Sequence, residues 1–106
     1  MSNFISEELV KVKLDNDEWV KMIKELSVND LNFLADTSSS SIERAINAIL
    51  RFSKEWNLKN NKGEIVELTK ENIEKLNSSA FKILQEYIAS IVPNIGKKKG
   101  GKELKA

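Results

Sequence analysis

Residues 40–55 have the sequence SSIERAINAILRFSKE, the most strongly patterned segment of this 106-residue chain. Ser40 and Glu43 are spaced as in a capping box, in which the serine side chain bonds forward and the glutamate bonds back. Behind them, apolar residues recur at helical spacing, at Ile42, Ala45, Ile46, Ile49, Leu50 and Phe52. The pattern predicts an amphipathic helix over residues 41–55 that buries this apolar stripe against a core.

The N-terminal part of the chain has the pattern of a β-hairpin. Residues 8–14, ELVKVKL, alternate between apolar and lysine side chains, as expected for a half-buried strand. The cluster DND at 15–17 favours a turn, because short polar side chains bond the local backbone. A second strand over 18–23 then completes a predicted hairpin, although its alternation is weaker.

Helix-capping and helix-ending residues indicate where the remaining elements begin and end. Ser27 supplies the N-cap of a short helix that precedes a serine-rich loop. Residues 56–68 are consistent with a second small hairpin or with a looped excursion. Thr69 caps another short helix, and a last helix over 79–92 is ended by Pro93.

Together these segments predict a single α+β domain, mostly helical, with an N-terminal β-hairpin followed by about four helices. Residues 1–94 form the predicted globular domain, and residues 95–106 a disordered, Lys-rich C-terminal tail. The domain holds 12 basic and 15 acidic side chains, whereas the tail holds five lysines and one glutamate. This acidic balance argues against a nucleic-acid-binding core, which usually presents a basic face.

The composition removes many kinds of catalytic and metal site. The chain has no His and no Cys, so it offers no imidazole or thiolate ligand and no His-dependent triad. Its four glycines form no phosphate-binding loop, and the acidic residues at 15–18 lack the spacing of a calcium loop. We therefore expect a protein that is not an enzyme and that has no cofactor and no metal. We also expect no secretory signal and no membrane span.

Four residues are candidate partner contacts. Phe33 lies beside the apolar positions of the first short helix, where a partly exposed aromatic ring is a candidate contact for a partner. Lys97, Lys98 and Lys99 begin the basic tail. They are consistent with a solubilising end or with a weak contact to nucleic-acid phosphates, although the tail has no Arg or aromatic residue for reading bases.

A series of short motifs runs through residues 8–94. They are VKVKL at 10–14, DEWV at 17–20, KELSVND at 24–30, WNL at 56–58 and LTKENI at 68–73, with Gly63 between the last two. In this order the motifs resemble the small tail assembly chaperones of long-tailed bacteriophages, in which a WNL segment, a glycine and an L-T-x-E-N-I segment link the long helix to the last one.

The resemblance implies a function without catalysis. Such proteins are made in the host cell cytoplasm, bind the helical tape measure protein and keep it soluble. They also help to recruit tail tube subunits, and they are not kept in the finished virion. Many are produced in two lengths by ribosomal frameshifting, for which the codons of Lys97, Lys98 and Lys99 are a candidate position.

Two questions about partner binding stay open at the level of sequence. The helices at 41–55 and 79–92 can leave an apolar groove for a helical client, or the core of the domain can consume their apolar stripes. Self-association into a homo-oligomer is also compatible with coating a long client.

The alternative function is that of a structural phage component, such as a head–tail connector or a tail-completion protein, which stays in the particle. Proteomics of purified virions separates the two. A further alternative is a small regulatory protein that binds nucleic acid through its lysine tail, and the acidic domain argues against it.

Overall fold

The computed structural model describes residues 3–93, which fold into an α+β domain. Its elements in chain order are β1 (Leu9–Lys13), β2 (Trp19–Ile23), α1 (Val28–Ala35), α2 (Ser41–Phe52), β3 (Ser53–Trp56), α3 (Lys70–Glu74) and α4 (Ser78–Ile91). The three strands form one antiparallel sheet in the order β1-β2-β3. The predicted tail at 95–106, with Lys97, Lys98 and Lys99, lies outside the described residues.

The predicted N-terminal hairpin is confirmed. Val12 lies opposite Val20 and Val10 lies opposite Met22, so these four side chains share the face that meets the core. Val20 and Met22 are completely buried. The turn between the strands contains Asn16 and Asp17 with φ of 63° and 61°, a left-handed conformation that Asn and Asp tolerate better than most residues.

The prediction that the long helix reaches residue 55 is wrong. α2 ends at Phe52, and Ser53–Trp56 form β3, which pairs with β2 through Val20 opposite Trp56 and Lys21 opposite Glu55. The N–H of Ser53 still bonds to the carbonyl of Ile49, and the chain becomes extended from that residue onward. Pairing with an existing strand satisfies the backbone as well as a further helical turn would, so tertiary structure decides between the two.

The apolar stripe of α2 is also redistributed relative to the sequence prediction. The buried positions are Ile46, Ala48, Ile49 and Phe52, whereas Ile42 is 59% exposed. Only the forward half of the predicted capping box forms, with the N–H of Glu43 donating to the Ser40 hydroxyl at 3.1 Å. The Glu43 carboxylate pairs instead with Lys70 at the start of α3.

The segment between β3 and α3 is a looped excursion held by one β-bridge. Lys59 and Ile65 form that bridge, and the turn between them contains Gly63 at φ 80°. α3 and α4 then follow as predicted, with Thr69 as the N-cap of α3. α4 begins after its N-cap Asn77, one residue earlier than the sequence indicates.

The core lies between the sheet and the helices, with α2 packed against α3, α4 and β3. Its buried apolar residues are Val12, Val20, Met22, Ile46, Ala48, Ile49, Phe52, Trp56, Leu58, Ile73, Leu84 and Ile88. The Tyr87 hydroxyl donates to the carbonyl of Ile23 at 2.7 Å and thereby ties α4 to β2. The buried positions of α3 and α4 are Ile73 in the first and Leu84 and Ile88 in the second.

The WNL motif performs three structural tasks at the end of β3. The indole N–H of Trp56 donates to the carbonyl of Val66 at 2.7 Å, and Leu58 is buried in the core. The Asn57 side chain accepts from the N–H of Trp19 at 2.7 Å and donates to the carbonyl of Asp17 at 3.2 Å. The motif therefore joins the looped segment and the hairpin turn to the edge of the sheet.

Replacing Asn57 with alanine is expected to lower the free energy of unfolding by about 1–2 kcal/mol, because two backbone groups lose their partner. Urea denaturation followed by far-ultraviolet circular dichroism measures this change. Asn61→Ala is the matched control, since Asn61 is exposed and its side chain bonds to nothing within residues 3–93. Equal losses in the two variants would contradict the bridging role of Asn57.

Candidate functional site

An open groove of about 330 Å³ runs between α2 and α4, next to the end of α1. Its apolar lining consists of Leu34, Ala45, Ala48, Ile88, Ala89 and Val92. Ala48 and Ile88 are buried and form the floor, whereas Ala89 is exposed on the α4 side. The polar rim includes Arg44 and Gln85.

The groove exists because the apolar stripe of α2 is divided between two surfaces. Ile46, Ile49 and Phe52 point into the core, whereas Ala45 and Ala48 line the groove. Alanine side chains are small, so α2 and α4 leave space between them at this level instead of filling it. The core therefore takes up the large apolar side chains of the stripe, and the small ones leave an open groove, whose use by a helical client stays a prediction.

A larger cavity of about 670 Å³ lies between the segment before β1, the start of α1 and the end of α2. Its wall contains an ion pair between Asp30 and Arg51, whose Nε lies 2.9 Å from a carboxylate oxygen of Asp30. The second oxygen of Asp30 accepts from the N–H of Ser27 at 2.9 Å, while the Ser27 hydroxyl accepts from the N–H of Asp30. The pair thus fixes the capping box of α1 to the last turn of α2.

Two opposing effects set the ionisation of Asp30, which is only 8% exposed. Burial raises the pKa of this carboxyl, because it disfavours the charged form. The hydrogen bonds from Ser27 and Arg51 favour the charged form and outweigh burial, so the pKa of Asp30 lies below its ordinary value. Asp30 is therefore a buried carboxylate that its partners hold in the charged form.

Phe33, the aromatic residue predicted as a partner contact, is half-buried at the edge of the core. Its ring meets that of Phe52 edge to face, with 6.3 Å between centroids and 76° between planes. The guanidinium carbon of Arg51 lies 4.7 Å from the Phe33 centroid. These contacts give the ring a packing role, and its role as a partner contact stays a prediction, as do those of the three tail lysines.

The outer face of the sheet is a distinct surface that the pattern of the sequence alone did not predict. Trp19 lies on this face, and the Nζ atoms of Lys11 and Lys21 lie 4.9 Å and 5.3 Å from the centroid of its ring. The alternating lysines of the VKVKL motif were the available signal. Which side chains these lysines meet depends on the strand register, which sets Lys11 opposite Lys21 and Lys13 opposite Trp19.

Two other kinds of feature are absent from the part of the chain that the structure describes. Within residues 3–93, acidic side chains do not come together in groups of three or more that could hold a metal ion. None of the helices in this range has the length and apolar character needed to cross a bilayer.

No protein-family model, curated protein or solved structure matches this chain. The fold and the groove therefore define it at the level of a small α+β domain with a three-stranded antiparallel sheet.

Proposed function

We propose that this protein is an assembly chaperone without catalytic activity, which holds a helical segment of a larger protein in the groove between α2 and α4. The observation that carries the proposal is the open apolar groove of about 330 Å³ between these helices. An amphipathic helix that lays its apolar face into such a groove is a recurrent mode of protein recognition.

The lining of the groove suits a helix better than a small polar ligand. Ala45 and Ala48 lie three residues apart on α2, and Ala89 faces them from α4. Small side chains on both sides let the backbone of a third helix approach closely, as at other tightly packed helix interfaces. Apolar side chains of that helix would cover Ala48 and Ile88 at the floor.

The rim adds a preference for charge. Arg44 stands at the edge of the groove, so a client helix with an acidic residue beside its apolar stripe fits better than one with a lysine there. We expect the client to carry apolar residues at the i, i+3 or i+4, and i+7 positions of a helix.

The resemblance of the sequence to phage tail assembly chaperones supplies the proposed identity of the client. The client is then the tape measure protein, which the chaperone keeps soluble in the cytoplasm of the host cell while it helps to recruit tail tube subunits. A homo-oligomer that coats the long client, and a longer frameshifted product, belong to the same proposal. Ribosomal frameshifting is tested separately, by intact-mass analysis of the products of the native gene.

Ala89→Arg is expected to weaken client binding at least about tenfold, because it places a long cationic side chain in the apolar groove. The experiment co-expresses the protein with the tape measure protein of the same genome. It measures how much tape measure protein stays soluble and co-purifies, and then titrates helical fragments of it.

Ser90→Arg is the matched control, since Ser90 is the next residue of α4, is exposed and lies outside the groove. Circular dichroism checks that both variants keep the fold. Equal client binding by the two variants would show that the client does not bind in the groove. A wild-type protein that leaves the tape measure protein insoluble, and that is found in purified virions, would instead indicate a structural component such as a head–tail connector.

A further inference from the structure

The outer face of the sheet combines three lysines with one tryptophan. Lys11 and Lys13 project from β1, and Trp19 and Lys21 project from β2, on the face opposite the buried side of the hairpin. The Nζ atoms of Lys11 and Lys21 lie within 4.9 Å and 5.3 Å of the Trp19 ring centroid. The indole thus positions two ammonium groups on a rigid strand pair.

This concentration of positive charge contrasts with the rest of the domain. Residues 3–93 hold more acidic than basic side chains. On the outer face itself, Lys21 pairs with Glu55 of β3 at 3.8 Å, and elsewhere Lys24 pairs with Glu8 and Lys70 with Glu43. Within the described residues, no carboxylate lies within ion-pair distance of Lys11 or Lys13. The two lysines of β1 are therefore available to an acidic ligand.

β1 is also an edge strand with backbone groups directed away from the sheet. The N–H of Leu14 donates to the carbonyl of Glu18 at 2.8 Å, which makes this the first hydrogen-bonded pair of the hairpin. Because such pairs alternate along an antiparallel ladder, Lys11 and Lys13 belong to the pairs that do not bond to β2. Their N–H and C=O groups point outward, and within residues 3–93 β2 alone pairs with β1.

We propose that this edge and the basic face beside it bind an extended acidic segment of another protein, which adds to the sheet next to β1. The backbone of the segment would bond to the outward groups of Lys11 and Lys13. Side chains at every second position would fall on the outer face, where glutamate or aspartate meets the ammonium groups of Lys11 and Lys13. The proposal does not depend on the helical client in the groove between α2 and α4.

The charges along β1 limit the length of the segment. Glu8 immediately precedes the strand, and Asp15 follows it in the turn. Both would repel a long acidic ligand, so the complementary stretch is about as long as β1, which has five residues. Two acidic residues separated by one other residue match the spacing of Lys11 and Lys13.

The same features disfavour two other occupants. A second copy of this chain that paired through β1 would bring lysines beside lysines, and lysines on an edge strand commonly prevent such pairing. A single-stranded nucleic acid would need an accessible aromatic ring for stacking, whereas two ammonium groups already approach the Trp19 ring.

The test titrates isotopically labelled protein with an eight-residue threonine peptide that carries, at its centre, two glutamates separated by one threonine, and follows binding by nuclear magnetic resonance. We expect the largest amide shifts at residues 9–13 and at the indole of Trp19. Lys11→Glu with Lys13→Glu should weaken binding at least tenfold. Lys62→Glu with Lys82→Glu is the matched control, since it changes the net charge equally at two exposed lysines outside the sheet, and it should change affinity less than twofold.

Three outcomes would overturn the proposal. The first is an equal loss in the two double variants, which would indicate general charge attraction. The second is equally tight binding of a peptide of the same composition in which the two glutamates are adjacent, which would show that binding does not depend on the every-second-residue spacing of an added strand. The third is tighter binding, at the same lysines, of a single-stranded oligonucleotide of the same charge, which would assign the surface to nucleic acid.

Discussion

Replacement of Trp56 by alanine is expected to lower the free energy of unfolding by about 3–5 kcal/mol, the range for truncating a large buried aromatic side chain. Trp56 is 7% exposed and closes the core at the end of β3. Its indole N–H donates to the carbonyl of Val66 at 2.7 Å, so the substitution also leaves that carbonyl without its partner. Urea denaturation followed by far-ultraviolet circular dichroism measures the loss.

Two further variants separate the contributions of Trp56. Trp56→Phe keeps most of the apolar ring and removes the hydrogen bond, so it should cost about 1–2 kcal/mol. Trp19→Ala deletes the same side chain from the outer face of the sheet, where Trp19 is only half-buried, and should cost less than Trp56→Ala. A loss at Trp19 as large as that at Trp56 would contradict the assignment of the core to one face of the sheet.

The role of Trp56 changes how the sequence resemblance is understood. The WNL motif is one of the motifs that carry that resemblance, and each of its residues has a structural role within the domain. Trp56 and Leu58 are buried, and Asn57 bonds to the backbone of the hairpin. The motif therefore supports the fold directly and bears on function only through the resemblance. The proposed contacts with partners lie elsewhere, in the groove and on the outer face of the sheet.

Features with a local physical cause could be predicted from the sequence. The hairpin follows from the alternation in residues 8–14 and from a turn cluster, and the N-caps Ser27, Ser40 and Thr69 all bond to backbone N–H groups as their residue types suggest. Pro93 directly follows the C-cap of α4. These signals act over a few residues, so the identity of distant neighbours hardly changes them.

Features that depend on distant partners were missed. β3 forms because β2 offers it hydrogen bonds, and its four residues, SKEW, lack the alternation that would mark a half-buried strand. The Asp30–Arg51 pair joins residues 21 positions apart, which no periodicity indicates. The groove could be anticipated only as an alternative, because the division of the α2 stripe between core and surface depends on where α4 packs.

Replacing Asp30 with alanine is expected to lower the free energy of unfolding at neutral pH by about 2–3 kcal/mol. The substitution removes the acceptor of the Ser27 N–H and the partner of Arg51, whose side chain is 40% exposed and can therefore turn toward water. This exposure keeps the expected loss below that of a fully buried ion pair. Denaturation in urea at pH 7 gives the value, and Asp15→Ala, at an exposed carboxylate of the hairpin turn, is the control.

Asp30→Ala should also reveal how the contribution of Asp30 to the free energy of unfolding changes with pH. Because the pKa of Asp30 is lowered in the folded protein, its charged form stabilises the fold at pH values above the pKa of the unfolded chain, about 3.9. That contribution is lost as the pH falls through the lower folded value. The difference between the wild type and Asp30→Ala should therefore be constant near neutrality and shrink below about pH 4. Most other carboxyl groups titrate alike in both proteins and cancel in this difference, so a gap that stays constant down to pH 2 would show that the charge of Asp30 contributes nothing.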